Sequence, residues 1–202
     1  MSTFEIPNTI ALPDAAALYF PFHLAWLGLF DRAGYHEVNL RQIAEASGIS
    51  KAPVYHYFER KDELLMRIHE EFIDLLLAAE AGRDPLPPAE HLRALMADVL
   101  GLMATHRGHV RVFFEHVREL SEADQATIRE RRDRYQALVE GVVARGMATG
   151  AFRAGDPRLV TLAVFGMCNW AYQWYRPDGD RSTREIADSF YDLVINGLRR
   201  DP

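Results

Sequence analysis

Leu40-Arg-Gln-Ile-Ala-Glu-Ala-Ser-Gly-Ile-Ser-Lys-Ala-Pro-Val-Tyr-His-Tyr-Phe58 compresses two short helices and a glycine turn into one run of sequence. Asn39 stands just before the first apolar-periodic residue and Gln42 three residues after it, the spacing at which two side chains cap a helix start reciprocally. A helix is therefore expected from Leu40. Leu40, Ile43 and Ala44 share one face, and Gly48 can take the left-handed conformation that ends such a helix. Ile49 then fills the angle between the helices and Ser50 caps the second. Pro53 falls in its first turn, where a missing amide proton costs little. Val54 and Phe58, four residues apart, face inward.

Lys51, Ala52, Tyr55, His56 and Tyr57 are left around the exposed part of the second helix. A short helix presented in this way fits the major groove of DNA, with its N-terminal residues at base edges and the flanking ones at phosphates. Spacing alone also fits a helical hairpin inside a globular core. The continuation Glu59-Arg-Lys-Asp-Glu-Leu-Leu65, which starts a third helix at once, tells against that.

From about Leu24 to Leu65 the chain resembles the DNA-binding domain of the TetR family of one-component bacterial regulators. The likeness runs through Leu29-Phe30, Ala33-Gly34-Tyr35, Ile43-Ala44, Gly48-Ile49-Ser50, Val54-Tyr55, Tyr57-Phe58 and Lys61-Asp62-Glu63-Leu64. It implies an all-α protein in two parts: an N-terminal three-helix DNA-binding domain with a helix-turn-helix, residues 1–60 including an arm, and a helical ligand-binding and dimerisation domain, residues 61–202. By the same resemblance Lys51, Tyr55 and Lys61 touch phosphates, Ala52, Pro53 and His56 lie nearest the bases, and Asn39 and Arg41 clamp the DNA backbone beside the groove. Two departures matter. Ala52 and Pro53 stand where the family often has glycine and a hydroxyl residue, which makes base reading more apolar and shape-dependent. Residues 1–60 also carry four basic residues (Arg32, Arg41, Lys51, Arg60) against six acids (Glu5, Asp14, Asp31, Glu37, Glu45, Glu59), with no basic arm. Nonspecific binding is expected to be modest and dependent on the doubled contacts of a dimer.

At 202 residues and 49% hydrophobic the chain can bury a sizeable core, and a formal charge of -6 argues against a nonspecific nucleic-acid coat. A lone Cys168 inside an apolar stretch excludes an internal disulfide framework and reads as a buried structural thiol. No signal peptide or spanning segment is recognised, and a cytoplasmic protein without membrane contact is expected.

Beyond Lys61 the periodicity is helical throughout, with no competing strand pattern. Leu64, Leu65, Ile68, Phe72, Leu75 and Leu76 stripe a long helix to about Glu80, and Gly82 to Pro88 is a breaker-rich loop. His91 to Thr105 carries Leu92, Leu95, Met96, Val99 and Leu100 on its inner side, and Gly108 is expected to bend the chain before a helix over Val110 to Leu120. Ser121 caps a helix from about Glu122 to Thr149, whose charged first half reads as a solvated face. Gly150 to Gly155 turns the chain, Asp156-Pro157 opens another helix, and Ser182 with Glu185 forms a capping box for the last.

The helix from Pro157 is apolar over most of its circumference through Leu159, Leu162, Ala163, Phe165, Gly166, Trp170 and Trp174, and Ile186, Phe190, Leu193, Val194 and Leu198 stripe the last. The same pattern fits two ordinary core helices, but too little chain remains to cover both in a monomer. Paired about a two-fold axis they form a four-helix interface, with Gly166 and Gly197 allowing close approach. Family resemblance likewise implies dimerisation through the last two helices, and a homodimer implies a roughly palindromic double-stranded operator.

Helices between Phe72 and Tyr175 can enclose a largely apolar cavity for a hydrophobic small-molecule effector. Phe113, Phe114, Met147, Met167, Trp170 and Tyr172 are candidate walls, although each fits a plain core as well. His109, Arg118 and Asn169 are candidate orienting groups, because polar side chains on apolar helices need partners. Ala163-Val-Phe-Gly-Met-Cys-Asn-Trp-Ala-Tyr-Gln-Trp-Tyr-Arg-Pro-Asp-Gly179, with Ser182 and Glu185-Ile-Ala187, is similar to the branch of the family that controls fatty acid, steroid or aromatic acid catabolism and is relieved by coenzyme A thioesters. That resemblance implies an acyl-CoA effector, with Arg107, Arg111, Arg118 and Arg176 available for its phosphates; a free hydrophobic drug or metabolite is the competing reading.

An enzyme has little support. There is no glycine-rich phosphate loop, nucleophile elbow or His-Glu-x-x-His signature, and His106 with His109 lacks a third ligand of matching spacing. No catalytic residue, metal or cofactor is expected. The remaining alternative is a helical sensor or interaction protein that does not read DNA. The sequence as a whole points to a ligand-responsive transcriptional regulator, a repressor acting as a dimer.

Overall fold

The computed structural model describes residues 29, 36–48, 58 and 60–198, with the side chains of 107–109 and 198 outside that description. The described residues form α-helices, one short 3-10 turn and connecting loops, with no strand among them. The helices are α1 (Leu40–Ser47), α2 (Lys61–Ala81), α3 (Pro88–Thr105), α4 (Arg107–Glu115), α5 (Glu122–Ala148), α6 (Pro157–Trp174) and α7 (Thr183–Leu198), and the 3-10 turn covers Val117–Glu119. The protein is therefore all-α. It divides into two compact units, Met1–Leu65 and Met66–Pro202, with the division falling inside α2.

In the first unit α1 begins and ends as its sequence dictates. Gln42 N–H donates to Asn39 Oδ1 at 3.0 Å while Asn39 N–H donates to Gln42 Oε1 at 2.9 Å. Two otherwise orphaned donors are satisfied, an arrangement that contributes about 1 kcal/mol. Gly48 closes the helix in the left-handed region at φ 70°, and its N–H returns to the carbonyls of Ala44 and Glu45. Leu40, Ile43 and Ala44 are buried, as are Val38, Phe58, Leu64 and Leu65.

The second unit is built around α3, which packs against α5, α6 and α7. Its buried residues include Leu92, Leu95, Met96, Val99 and Leu100, all on the expected side. The helix starts at Pro88, three residues before His91, because a proline at the first helical position needs no amide donor and already has a helical φ. The bend after it falls at His106 (φ −132°, ψ 37°), not at Gly108, which lies within α4. A single helical glycine costs only about 1 kcal/mol, so it need not break the chain. The expected helix to Leu120 instead ends at Glu115 and gives way to the 3-10 turn.

Ser121 Oγ caps α5 by accepting from Asp124 N–H at 3.1 Å, and Asp156 Oδ1 caps α6 through the N–H groups of Arg158 and Leu159. Between them the chain reverses so tightly that a Cβ on Gly146 would lie 2.2 Å from the Phe152 ring, and only glycine fits there. Ser182 and Glu185 cap α7 reciprocally, and the bonds that the Ser182 N–H and hydroxyl donate to the Glu185 carboxylate hold it below the usual carboxylate range. Cys168 is fully buried, and burial pushes its thiol up to about 12, so it is an inert core group. Among the described residues, no helix is long and apolar enough to cross a membrane.

Candidate functional site

Of the residues expected at DNA, Lys51, Ala52, Pro53, Tyr55 and His56 lie outside the described residues. Asn39, Arg41 and Lys61 are described. The Asn39 side-chain carbonyl is committed to the cap of α1, and Arg41 is exposed, bridging Glu45 at 3.3 Å one turn along the helix. Lys61 has a role that the sequence did not reveal: its Nζ donates to the backbone carbonyls of His36 at 3.5 Å and Val38 at 3.4 Å. It clasps the start of α2 to the segment leading into α1.

In the second unit three of the residues expected to line an effector cavity do come together. Phe113 and Phe114 meet edge to face at 5.0 Å between ring centroids, and Tyr172 stacks on Phe114 at 5.0 Å. Phe72 of α2 completes the cluster, 4.3 Å from Phe113. His69, one turn earlier on α2, lies 5.1 Å from Phe113 and is wholly buried, and among the described residues neither ring nitrogen has a hydrogen-bond partner. Burial, with help from the positive charge of Arg132 and from His116, lowers its pKa from 6.5 to about 4, so the ring is neutral at physiological pH. A neutral imidazole keeps one donor and one acceptor, and leaving both unmet in an apolar site costs free energy. Sequence reasoning missed His69. Its signal was a histidine at helical spacing from Leu65, Phe72 and Leu76 on the apolar stripe.

The other candidates are placed elsewhere. Met147 packs against the core at the end of α5, near Gly155. Met167 and Asn169 are half-buried on α6, and Trp170 is 62% exposed on its outer side. The side chain of His109 is outside the described set. Arg118 lines a hollow of about 380 Å³ between the 3-10 turn and α5, together with Arg129 and Arg132. Arg111, in contrast, is held by Glu115 at 3.2 Å.

A second ionic cluster has no vacancy. Arg83 bonds both Glu80 and Asp98, and Glu80 in turn holds the buried His91 at 2.7 Å. Burial raises the Asp98 carboxyl even against the opposing charge of Arg83. Further along, Arg131 of α5 ties Asp74 at 2.7 Å and Glu70 at 3.1 Å, which fastens α5 to α2 within this unit.

The last two helices show two kinds of apolar face. Val164, Cys168, Ala171, Ile186 and Ala187 enter the core, whereas Leu159 (64%), Leu162, Trp170, Trp174 and Leu193 (67%) are exposed. Ile186, expected at an interface, is drawn into the protomer's own interior because its side of α7 faces α3. Phe165, Phe190 and Val194 are half-buried against the core, and added Cβ atoms on Gly166 and Gly197 would meet nothing.

Comparison with known proteins gives this architecture its class. Residues 27–68 match the family described as bacterial regulatory proteins, tetR family, and residues 85–198, more than half of the chain, match the tetracyclin repressor-like C-terminal domain. The HTH-type transcriptional repressor KstR2 of Rhodococcus jostii is 26% identical over 84% of this chain and 85% of its own length. Among solved structures, the TetR family regulator PfmR from Thermus thermophilus superposes with a TM-score of 0.81 at 30% identity, covering 89% of this chain and 99% of that one. AibR, solved in complex with isovaleryl coenzyme A and operator DNA, superposes with a TM-score of 0.76 at 26% identity, covering 88% and 97%. The class is a helical transcriptional regulator, not an enzyme. The chain belongs to the TetR family.

Proposed function

We propose that the protein is a repressor that binds a roughly palindromic operator as a homodimer and is released by a hydrophobic effector, an acyl-CoA thioester. The observation that carries the sensing half is His69. A fully buried imidazole with both nitrogens unmet among the described residues, set among Phe72, Phe113, Phe114 and Tyr172, supports a polar atom of an apolar ligand as its missing partner. A thioester carbonyl or an acyl hydroxyl meets that description. AibR carries an acyl-CoA and operator DNA together, which supports the same class of ligand for the present chain.

The exposed faces of α6 and α7 supply the apolar surface that a two-fold partner covers, centred on Leu162, Trp170 and Leu193 with Gly166 and Gly197 at points of close approach. Coupling runs through α2. This helix starts at Lys61, directly after the DNA-reading segment, and carries His69 and Phe72 two to three turns later. A ligand that bonds His69 better in one placement of α2 than another favours that placement, and the preference is reciprocal with DNA affinity. Arg131, which grips Glu70 and Asp74, makes α5 move with it.

A gel-shift titration against the DNA flanking the protein's own gene, repeated with acyl-CoAs of different chain length and with the free acids, tests this reading. The expected result is a protected palindrome lost on addition of a thioester and retained with its free acid. An operator complex indifferent to every thioester contradicts the effector class, and no specific complex at all contradicts the repressor.

A further inference from the structure

We propose that the hollow between the 3-10 turn and α5 seats a phosphoryl group of the effector, gripped by Arg118, Arg129 and Arg132. The inference rests on an effector occupying this unit. It deepens that reading by assigning the residues that hold the thioester's phosphorylated end.

Gln125, Arg129, Arg132, Asp133 and Gln136 recur at helical spacing along one side of α5 and line the hollow opposite Arg118. Three guanidinium groups face one carboxylate there, Asp133, a surplus of two positive charges in about 380 Å³. Among the described residues none of the three arginines has a carboxylate within ion-pair reach, whereas Arg83, Arg93, Arg111 and Arg131 of the same unit each do. Arg132 shows that the charge is not merely hydrated surface. Although the residue as a whole remains exposed, its guanidinium carbon sits 5.0 Å from the centroid of Phe113, and the surrounding protein pulls its pKa below the ordinary arginine value. An arginine pressed on an aromatic ring without an anion is stabilised when an anion arrives. Guanidinium forks match phosphate oxygens in pairs, and three forks exceed what a single carboxylate can accept.

Phe113 also joins the two halves of the site. It carries Arg132, while its other neighbours are His69, Phe72 and Phe114. A ligand with a phosphorylated end and an apolar end therefore fits, and a free acid, with one carboxylate, leaves the hollow underused.

The test is calorimetric titration of the full-length protein with coenzyme A, with pantetheine, which lacks its phosphates, and with inorganic pyrophosphate, on wild type and on Arg118→Gln/Arg129→Gln. Both arginines are exposed and, among the described residues, bond no protein group, so the variant should keep the wild-type melting curve. Wild type is expected to favour coenzyme A over pantetheine by about tenfold or more, and the double variant to lose most of that preference, as befits charge-assisted bonds. Retention of the full preference in the variant, or its absence in wild type, overturns the proposal. Operator release measured on the same samples separates this inference from the one it rests on. Thioester-driven release with an unaltered preference in the variant overturns the hollow and spares the thioester repressor. Pyrophosphate binding that the variant abolishes, without release by any thioester, supports the hollow and overturns the thioester.

Discussion

His91 and His69 are both buried in the second unit, and their surroundings differ in every respect that matters. His91 meets Glu80 at 2.7 Å, and Glu80 meets Arg83, which meets Asp98, so that each charge or dipole has an answer. His69 has aromatic neighbours and, among the described residues, no hydrogen-bond partner. The same contrast recurs among the arginines: Arg83 is saturated by two carboxylates, while Arg118, Arg129 and Arg132 share a hollow with a single acid. A satisfied cluster fixes the fold. A polar group that is buried and unmet among the described residues, as His69 is, costs stability, and under the proposed function a ligand offsets that cost.

Acid should expose this contrast most strongly. Above pH 6.5 His69 is neutral in both folded and unfolded chains. Between 6.5 and about 4 the unfolded chain takes up a proton that the folded one refuses, so stability falls as pH falls. A folded-state value of about 4 corresponds to a loss of about 3 kcal/mol once that window is crossed. Denaturant melts of wild type and His69→Phe across this range should differ by that limb, the variant holding its stability in acid. Parallel curves would mean that His69 is not the unprotonated group.

Breaking the saturated cluster should have the next largest effect. Arg83→Met leaves Asp98 and Glu80 without their cation in a half-buried site and should cost about 2–3 kcal/mol in a urea melt. His91→Phe removes one hydrogen bond to Glu80 and should cost about 1 kcal/mol. Tyr135 sharpens the opposite side of the comparison. Its hydroxyl is buried without a partner among the described residues, and burial raises its pKa, so Tyr135→Phe should be neutral or gain up to about 1 kcal/mol. A loss comparable to that of His91→Phe would show that unmet polar groups here are not costly, and the contrast would collapse.

The parts of this molecule that were legible in its sequence are those whose physics is local. The Asn39–Gln42 box, the left-handed Gly48, the Ser121 cap, the Asp156-Pro157 start and the Ser182–Glu185 box each involve residues within a few positions of one another. All appear as expected. Helix breaks were read less well, since Gly108 is tolerated and His106 is the bend. What stayed hidden depends on distant partners: Arg83 with Asp98, Arg131 with Glu70, and the clasp of Lys61 on His36 and Val38. His69 was hidden for a different reason. Its periodicity marks it as core, and only the absence of a partner among the described residues marks it as more.

The most direct test combines the two halves of the account in one variant. Operator affinity of wild type and His69→Phe should be equal in the absence of effector, because the substitution fills the same aromatic site without touching the reader. With a saturating acyl-CoA thioester, wild type should lose roughly tenfold or more in operator affinity, the scale of a coupling free energy of about 1–3 kcal/mol, and His69→Phe should lose little. A variant that releases DNA as fully as wild type would contradict the assignment of His69 as the sensing contact.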